Sequence, residues 1–349
     1  MHPTAQPGND SRSDRLDPGG IPYLHLLYCP FCRTRLSLDP GLQCGGCGRG
    51  FEVEDGVPLL FAPNDPGQFD RDVTDLVRQF YEETPFPNYE ETDDAGALLD
   101  KARRGVFAKL LDEQLPFGIR ILECGCGTGQ LSNFLGIARR AVFGTDVCLN
   151  SLRLANGFRK RNDLSNVHFV QMNLFRPVFG AGTFDVVVSN GVLHSTTDPY
   201  VGFQTLSGLV KPGGYLIIGL YHRYGRLATD LRRVIFRWTG GRMLFLDPRL
   251  RREGLGKERR AAWYADQYLH PHELKYTIGE ILRWLEPNGL RLVKSIPKTR
   301  FQSRFTPDER LFEPEPAGRP LERALIEMGQ TFTGDREGGF FTVIAQREA

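Results

Sequence analysis

The chain has 349 residues, 40% of them hydrophobic and 25% charged, enough apolar matter for a proper core and an ordinary polar balance for a soluble protein. Its length predicts one large domain plus a small appendage, and no apolar run approaches the roughly 20 residues that span a bilayer, so no membrane partner is expected. A formal net charge of +2 says nothing by itself about partners. In chain order, residues 1–20, MHPTAQPGNDSRSDRLDPGG, lack the apolar stretch of a secretory signal. They read as a disordered tail, and a cytoplasmic location is the expectation.

Residues 21–62 follow, with Cys29, Cys32, Cys44 and Cys47 in two C-x-x-C pairs. Two thiolates at each of two tight turns complete a tetrahedral zinc shell. The texts YCPFC and LQCGGCGRGF supply the Pro and Gly that such turns need. A segment this short has too little apolar surface to fold unaided, and metal binding supplies the missing stability. Four sulfur ligands leave no open position, so the expected Zn2+ is structural. Cys124, Cys126 and Cys148 fall elsewhere, and the clustering argues against a disulfide scaffold.

Residues 63–117 read as a helical and aromatic linker or flap. FYEETPFPNYE, residues 80–90, is proline-bent and aromatic, which suits either a flap over a cleft or a packed linker. The stretch from Glu52 to Asp94 carries about thirteen acids against two arginines, and that from Tyr221 to Arg260 about twelve Arg or Lys against four acids. The two blocks either face each other or solvent, or the basic one receives an anionic substrate.

From Gly118 the text alternates apolar runs with helical stretches, the pattern of a doubly wound α/β sheet. The expected strands are 119–124, 141–146, 167–172, 184–190 and 215–220, then GLRLVKSI and GGFFTVIAQ. This domain spans 118–349. After the fifth strand about seventy residues precede the next, which implies an insertion at about 221–262. Between the first strand and its helix lies Glu123-Cys124-Gly125-Cys126-Gly127-Thr128-Gly129. Alternate glycines let the backbone turn sharply and approach a ligand with amide donors exposed. Asp146 ends the next strand, where a carboxylate accepts both ribose hydroxyls. A dinucleotide fingerprint needs Gly-x-Gly-x-x-Gly, but its last position here is Gln130. Glu123 beside the loop repels a pyrophosphate and suits a ligand with an ammonium and a sulfonium.

On these residues, 118–220 resembles the core of class I, Rossmann-like S-adenosylmethionine-dependent methyltransferases, and the order of ribbon then core resembles members with an N-terminal zinc ribbon. The resemblance implies a seven-stranded sheet whose last strand is antiparallel. It implies that Glu123, Gly125, Gly127 and Gly129 surround the methionine and ribose of S-adenosyl-L-methionine and that Asp146 holds the ribose hydroxyls. Asn173 and Leu174 match positions flanking the adenine, and Asn190 a position near the methyl. The turn Lys211-Pro212-Gly213-Gly214 is also typical and reads as structural.

Two histidines at the expected carboxyl edge of the sheet, His194 and His222, are the candidate general bases. The insertion is basic first and aromatic later, with Trp263, Tyr264, Tyr268, His270 and His272. These rings either stack on a planar acceptor or form the insertion's own core. A metal at the His270 and His272 pair lacks further ligands. The expected activity is methyl transfer, with two acceptor classes open: a small molecule enclosed by insertion and flap, or RNA docked on the ribbon and on arginines such as Arg232 and Arg233. Ser189-Asn190-Gly191-Val192 replaces the Asp/Asn-Pro-Pro-aromatic text of exocyclic base amine methylation, which tilts the balance toward the small molecule. The alternative of another class is an inactive cofactor-binding partner of a separate enzyme. Oligomeric state is not legible.

Overall fold

The computed structural model describes residues 20–87, 94–240, 243–248, 250, 256–301, 303–333 and 339–349. The tail expected over the first residues, apart from Gly20, and residues 88–90 of the aromatic segment lie outside them. Two small antiparallel pairs come first: β1 (Leu36–Ser37) with β2 (Gln43–Cys44), and β3 (Val53–Glu54) with β4 (Val57–Pro58). Three helices follow, α1 (Thr74–Glu83), α2 (Ala95–Arg103) and α3 (Val106–Gln114).

The main sheet begins with β5 (Arg120–Cys124), α4 (Gln130–Ile137), β6 (Ala141–Asp146), α5 (Leu149–Arg161) and β7 (Val167–Gln171). It continues through β8 (Phe184–Asn190), α6 (Pro199–Leu209) and β9 (Val210–Tyr221). The insertion carries α7 (Leu227–Thr239) and α8 (Lys257–Tyr264), after which α9 (Ile278–Leu285), β10 (Leu290–Ile296), α10 (Pro320–Thr333) and β11 (Phe340–Arg347) close the chain. The seven strands lie in the order β10-β11-β9-β8-β5-β6-β7. β5 to β9 are mutually parallel, and β11 runs antiparallel to both neighbours.

Burial on both faces explains why these strands read as nearly unbroken apolar runs. Val186, Val187 and Val188 of β8 and Leu216, Ile217 and Ile218 of β9 are all buried. The expected turn at Lys211–Gly214 falls inside a break of register between β8 and β9, where Phe184 faces Val210 but Val186 faces Tyr215. Chain order reverses between β5 and β8, and a crevice opens there at the carboxyl ends of the strands.

The appendage does not stand apart. Ile21, Tyr23, Leu27 and Leu60 belong to the same buried cluster as Phe143, Phe179 and Leu216 of the main domain. Tyr28 N–H donates to Val178 O at 2.7 Å, and Leu60 N–H donates to Gln171 O at 3.0 Å at the β7 edge. Among the described residues, the ion pairs that the acidic stretch makes across the fold lead to the main domain. They run from Glu54 to Arg153, from Asp55 to Lys160 and from Asp65 to Arg176.

Candidate active site

The loop between β5 and α4 turns on three left-handed glycines, Gly125 (φ 74°), Gly127 (φ 52°) and Gly129 (φ 72°). A Cβ on Gly125 would lie 2.3 Å from Val192 Cγ2, and one on Gly127 would lie 2.6 Å from Phe86 O. At Gly129 it would meet Ala155 Cβ at 2.7 Å and Phe169 Cζ at 2.8 Å. Gly125 and Gly127 line the central cavity, whereas Gly129 does not. The bare Cα of Gly129 lets α4 close on α5 and β7.

Asp146, at the tip of β6, fastens this loop. Its carboxylate accepts from Gly127 N–H at 2.8 Å and from Cys148 N–H at 2.9 Å, and burial still holds its pKa above the usual range. Glu123 is buried one strand away and accepts from Ser132 Oγ–H at 2.5 Å. Burial pushes its carboxyl up to about 8.

The cavity holds about 620 Å³. One end is the glycine loop with Glu123, Asp146, Asn173, Leu174 and Asn190; the other reaches Tyr221, Asp266, Gln267, His270 and Glu273. Tyr81, Phe86, Pro87 and Trp263 wall it from the flap and insertion sides. Four carboxylic side chains line it, against a single lysine, Lys101, which donates to Gln130 Oε1 at 2.7 Å.

Segment 80–87 is docked rather than loose. The Glu82 carboxylate accepts from Leu149 N–H at 2.7 Å and Asn150 N–H at 3.1 Å, capping α5. Tyr81 Oη–H donates to Asp266 Oδ1 at 2.9 Å. Gln267 Nε2 donates to Asp266 Oδ2 and to Tyr221 Oη, both at 2.8 Å. Arg226 lies 3.8 Å over the Tyr221 ring and donates to Glu273 Oε2 at 2.8 Å. This polar wall went unrecognised in the sequence. Its one signal was the pair Asp266 and Gln267 inside a text otherwise read for its aromatics.

Both candidate bases are buried and each ring accepts a backbone N–H. His194 lines the cavity, but its Nδ1 accepts from Tyr221 N–H at 3.4 Å and burial pushes its pKa down to about 3. A neutral ring in that bond carries its proton on Nε2 and has no lone pair left for a substrate proton. His222 is buried outside the cavity wall, its Nδ1 accepting from Gly225 N–H at 3.2 Å and its Nε2 lying 3.8 Å from Glu327. Asn173 lines the cavity with its amide already committed. It donates to Ala62 O and Asn64 Oδ1 and accepts from Phe175 N–H.

The insertion's rings divide. Trp263 lines the cavity, while Tyr268 packs edge-on against Phe236 at 4.7 Å and donates to Asp247. Arg233, expected to be open to an RNA backbone, donates instead to Gln267 O at 2.7 Å and Glu273 Oε2 at 3.0 Å. Among the described residues, the metal-competent cluster is that of Cys29, Cys32, Cys44 and Cys47, whose sulfurs all lie within 4.8 Å of one another.

Residues 122–218 match the methyltransferase domain family. The chain is 30% identical over 207 residues to an uncharacterized protein of Synechococcus, covering 52% of this chain and 50% of that one. It is 25% identical over 187 residues to the ubiquinone biosynthesis O-methyltransferase of Coxiella burnetii, covering 53% and 69%. An uncharacterized methyltransferase of Mycobacterium bovis is 30% identical over 141 residues, covering 37% of this chain and 70% of that protein. The aligned part thus spans half of the first relative's length and just over two thirds of the other two. On the matched domain and the mycobacterial relative, the chain belongs to the methyltransferase domain family.

Proposed function

We propose that the protein transfers a methyl group from S-adenosylmethionine to a small-molecule acceptor held in the central cavity. One observation carries this reading: glycine loop and polar wall bound a single cavity lined by four carboxylic side chains and one lysine. Glu273 is balanced by Arg226 and Arg233, so the charge that favours a sulfonium over a phosphate is that of Asp146 and, once ionised, of Glu123. The cofactor, when bound, supplies a methyl already activated on a sulfonium. Gly125 and Gly127 let the backbone approach it, Asp146 takes the ribose hydroxyls, and Glu123 faces its positive charge. Leu174 flanks the adenine by side-chain contact, since the Asn173 amide is committed elsewhere, and Asn190 lies toward the methyl.

At the other end, Asp266 is the proton acceptor for a hydroxyl-type acceptor. It is buried, oriented by Tyr81 and Gln267, and burial raises its pKa. Tyr81, Phe86, Pro87 and Trp263 exclude water. The inward ion pair of Arg233 removes one of the two named cations on which RNA docking rested. Likeness to the O-methyltransferase of Coxiella burnetii supports a small acceptor.

The four cysteines fit a structural Zn2+. Cys29 and Cys47 sulfurs lie 3.7 Å apart and those of Cys32 and Cys44 3.3 Å apart. A tetrahedron with Zn–S near 2.3 Å has edges of about 3.8 Å.

Radiolabelled cofactor offered with metabolite extract and, separately, with total RNA tests the acceptor class. Label is expected in the small-molecule fraction; label in RNA alone overturns the reading, and binding without transfer to either pool favours an inactive partner.

Glu123 provides a proton-linked check. Its free carboxyl titrates at about 8 and is protonated at pH 7, while a neighbouring cation favours the ionised form. Cofactor binding at pH 7 should therefore release a proton, and affinity should rise with pH up to about 8. Calorimetry in buffers of different ionisation enthalpy measures this; Glu123→Gln should abolish the release, and a buffer-independent heat in the parent protein contradicts the role.

A further inference from the structure

We infer that α7 is a docking helix for the surface of an anionic lipid bilayer. The outer face of α7 is apolar and uncovered. Leu227, Leu231, Val234 and Trp238, spaced four, three and four residues apart on one stripe, are 46%, 63%, 52% and 88% exposed. Met243, Phe245 and Leu246 prolong this apolar exposure just after the helix. Contiguous apolar surface on this scale marks an interaction site rather than chance exposure.

Charge selects the occupant. Of the twelve Arg or Lys between Tyr221 and Arg260, Arg226 and Arg233 turn inward onto Glu273, whereas Arg237, Lys257 and Arg260 are exposed beside or after the stripe. An apolar face bearing a tryptophan and flanked by arginines is what an interfacial helix needs to lie in the headgroup region. At 13 residues α7 is too short to cross, and among the described residues no helix is long and apolar enough to do so. A second stripe on α10, made of Leu321, Leu325, Met328 and Phe332, is also exposed. Its outward positions carry no basic surplus, so α7 is the assigned element.

The opposite face of α7 leads to the catalytic cavity. Arg233 donates to Gln267 O, and Phe236 packs on Tyr268; Gln267 itself lines the cavity. A helix seated on a bilayer therefore leaves about one helix diameter, roughly 10 Å, between the lipid and the cavity wall. Resting on the proposed function, this narrows the acceptor to an amphiphile that partitions into membranes.

Sedimentation with vesicles of phosphatidylcholine, with and without phosphatidylglycerol, tests the assignment without turnover. The full chain should bind the anionic vesicles at least about tenfold more than the neutral ones, and salt should weaken the binding. Leu231→Glu and Trp238→Ala, both at exposed positions, should each lower binding by a further factor of about ten, with circular dichroism and cofactor affinity unchanged. Absence of vesicle binding, binding unchanged in both variants, loss only in Phe332→Glu, or a dimer dissolved by Trp238→Ala without lipid uptake would each overturn it. Because cofactor titration is run on the same samples, failure here is distinguishable from failure of the methyltransferase reading.

Discussion

Asp146→Ala should weaken S-adenosylmethionine binding by about 1–3 kcal/mol, roughly fivefold to 150-fold, the usual loss for a charged hydrogen-bonding group. Three consequences add. The ribose hydroxyls lose their acceptor, and the loop loses the bond that holds Gly127 N–H at 2.8 Å from the carboxylate. Cys148 N–H, at the start of α5, is released as well. Asp146→Asn keeps one acceptor oxygen and should fall between the two. Titration calorimetry gives the affinities, and superimposable titration curves for parent and Ala variant would remove Asp146 from the site.

The largest effect on stability is expected from Cys44→Ser. Three sulfurs remain for a metal that the fold presents with four, and metal affinity in such sites is folding free energy. Cys29 and Cys44 are buried in the cluster that also contains Phe143 and Leu216, so the loss is not confined to the appendage. At least about 3 kcal/mol is expected, which at roughly 2–4 °C per kcal/mol lowers Tm by about 10 °C. Metal analysis should show one zinc equivalent in the parent and none in the variant. One retained equivalent with an unchanged Tm would count against the four-thiolate site.

The legible features were those with a local cause. The strand positions follow from apolar runs and their punctuation, and the cysteine cluster from spacing alone. The glycine loop and Asp146 were legible because backbone shape and a carboxylate at a strand tip need only nearby residues. What remained hidden depended on pairs distant in sequence. Glu82 capping α5, Tyr81 orienting Asp266, and Arg226 paired with Glu273 join residues 47 or more apart. No periodicity encodes them. For the two histidines, position at the sheet's edge was visible, but the N–H groups of Tyr221 and Gly225 that meet their ring nitrogens were not. Gly129 shows the same limit, since its neighbours Ala155 and Phe169 lie on other elements.

Every role assigned to the cavity presupposes which nucleoside the loop at Cys126 admits. Parallel equilibrium titrations with S-adenosylmethionine and with a nicotinamide dinucleotide decide the matter. One equivalent of the sulfonium compound should bind while the dinucleotide produces no signal; saturable uptake of the dinucleotide alone would contradict the account.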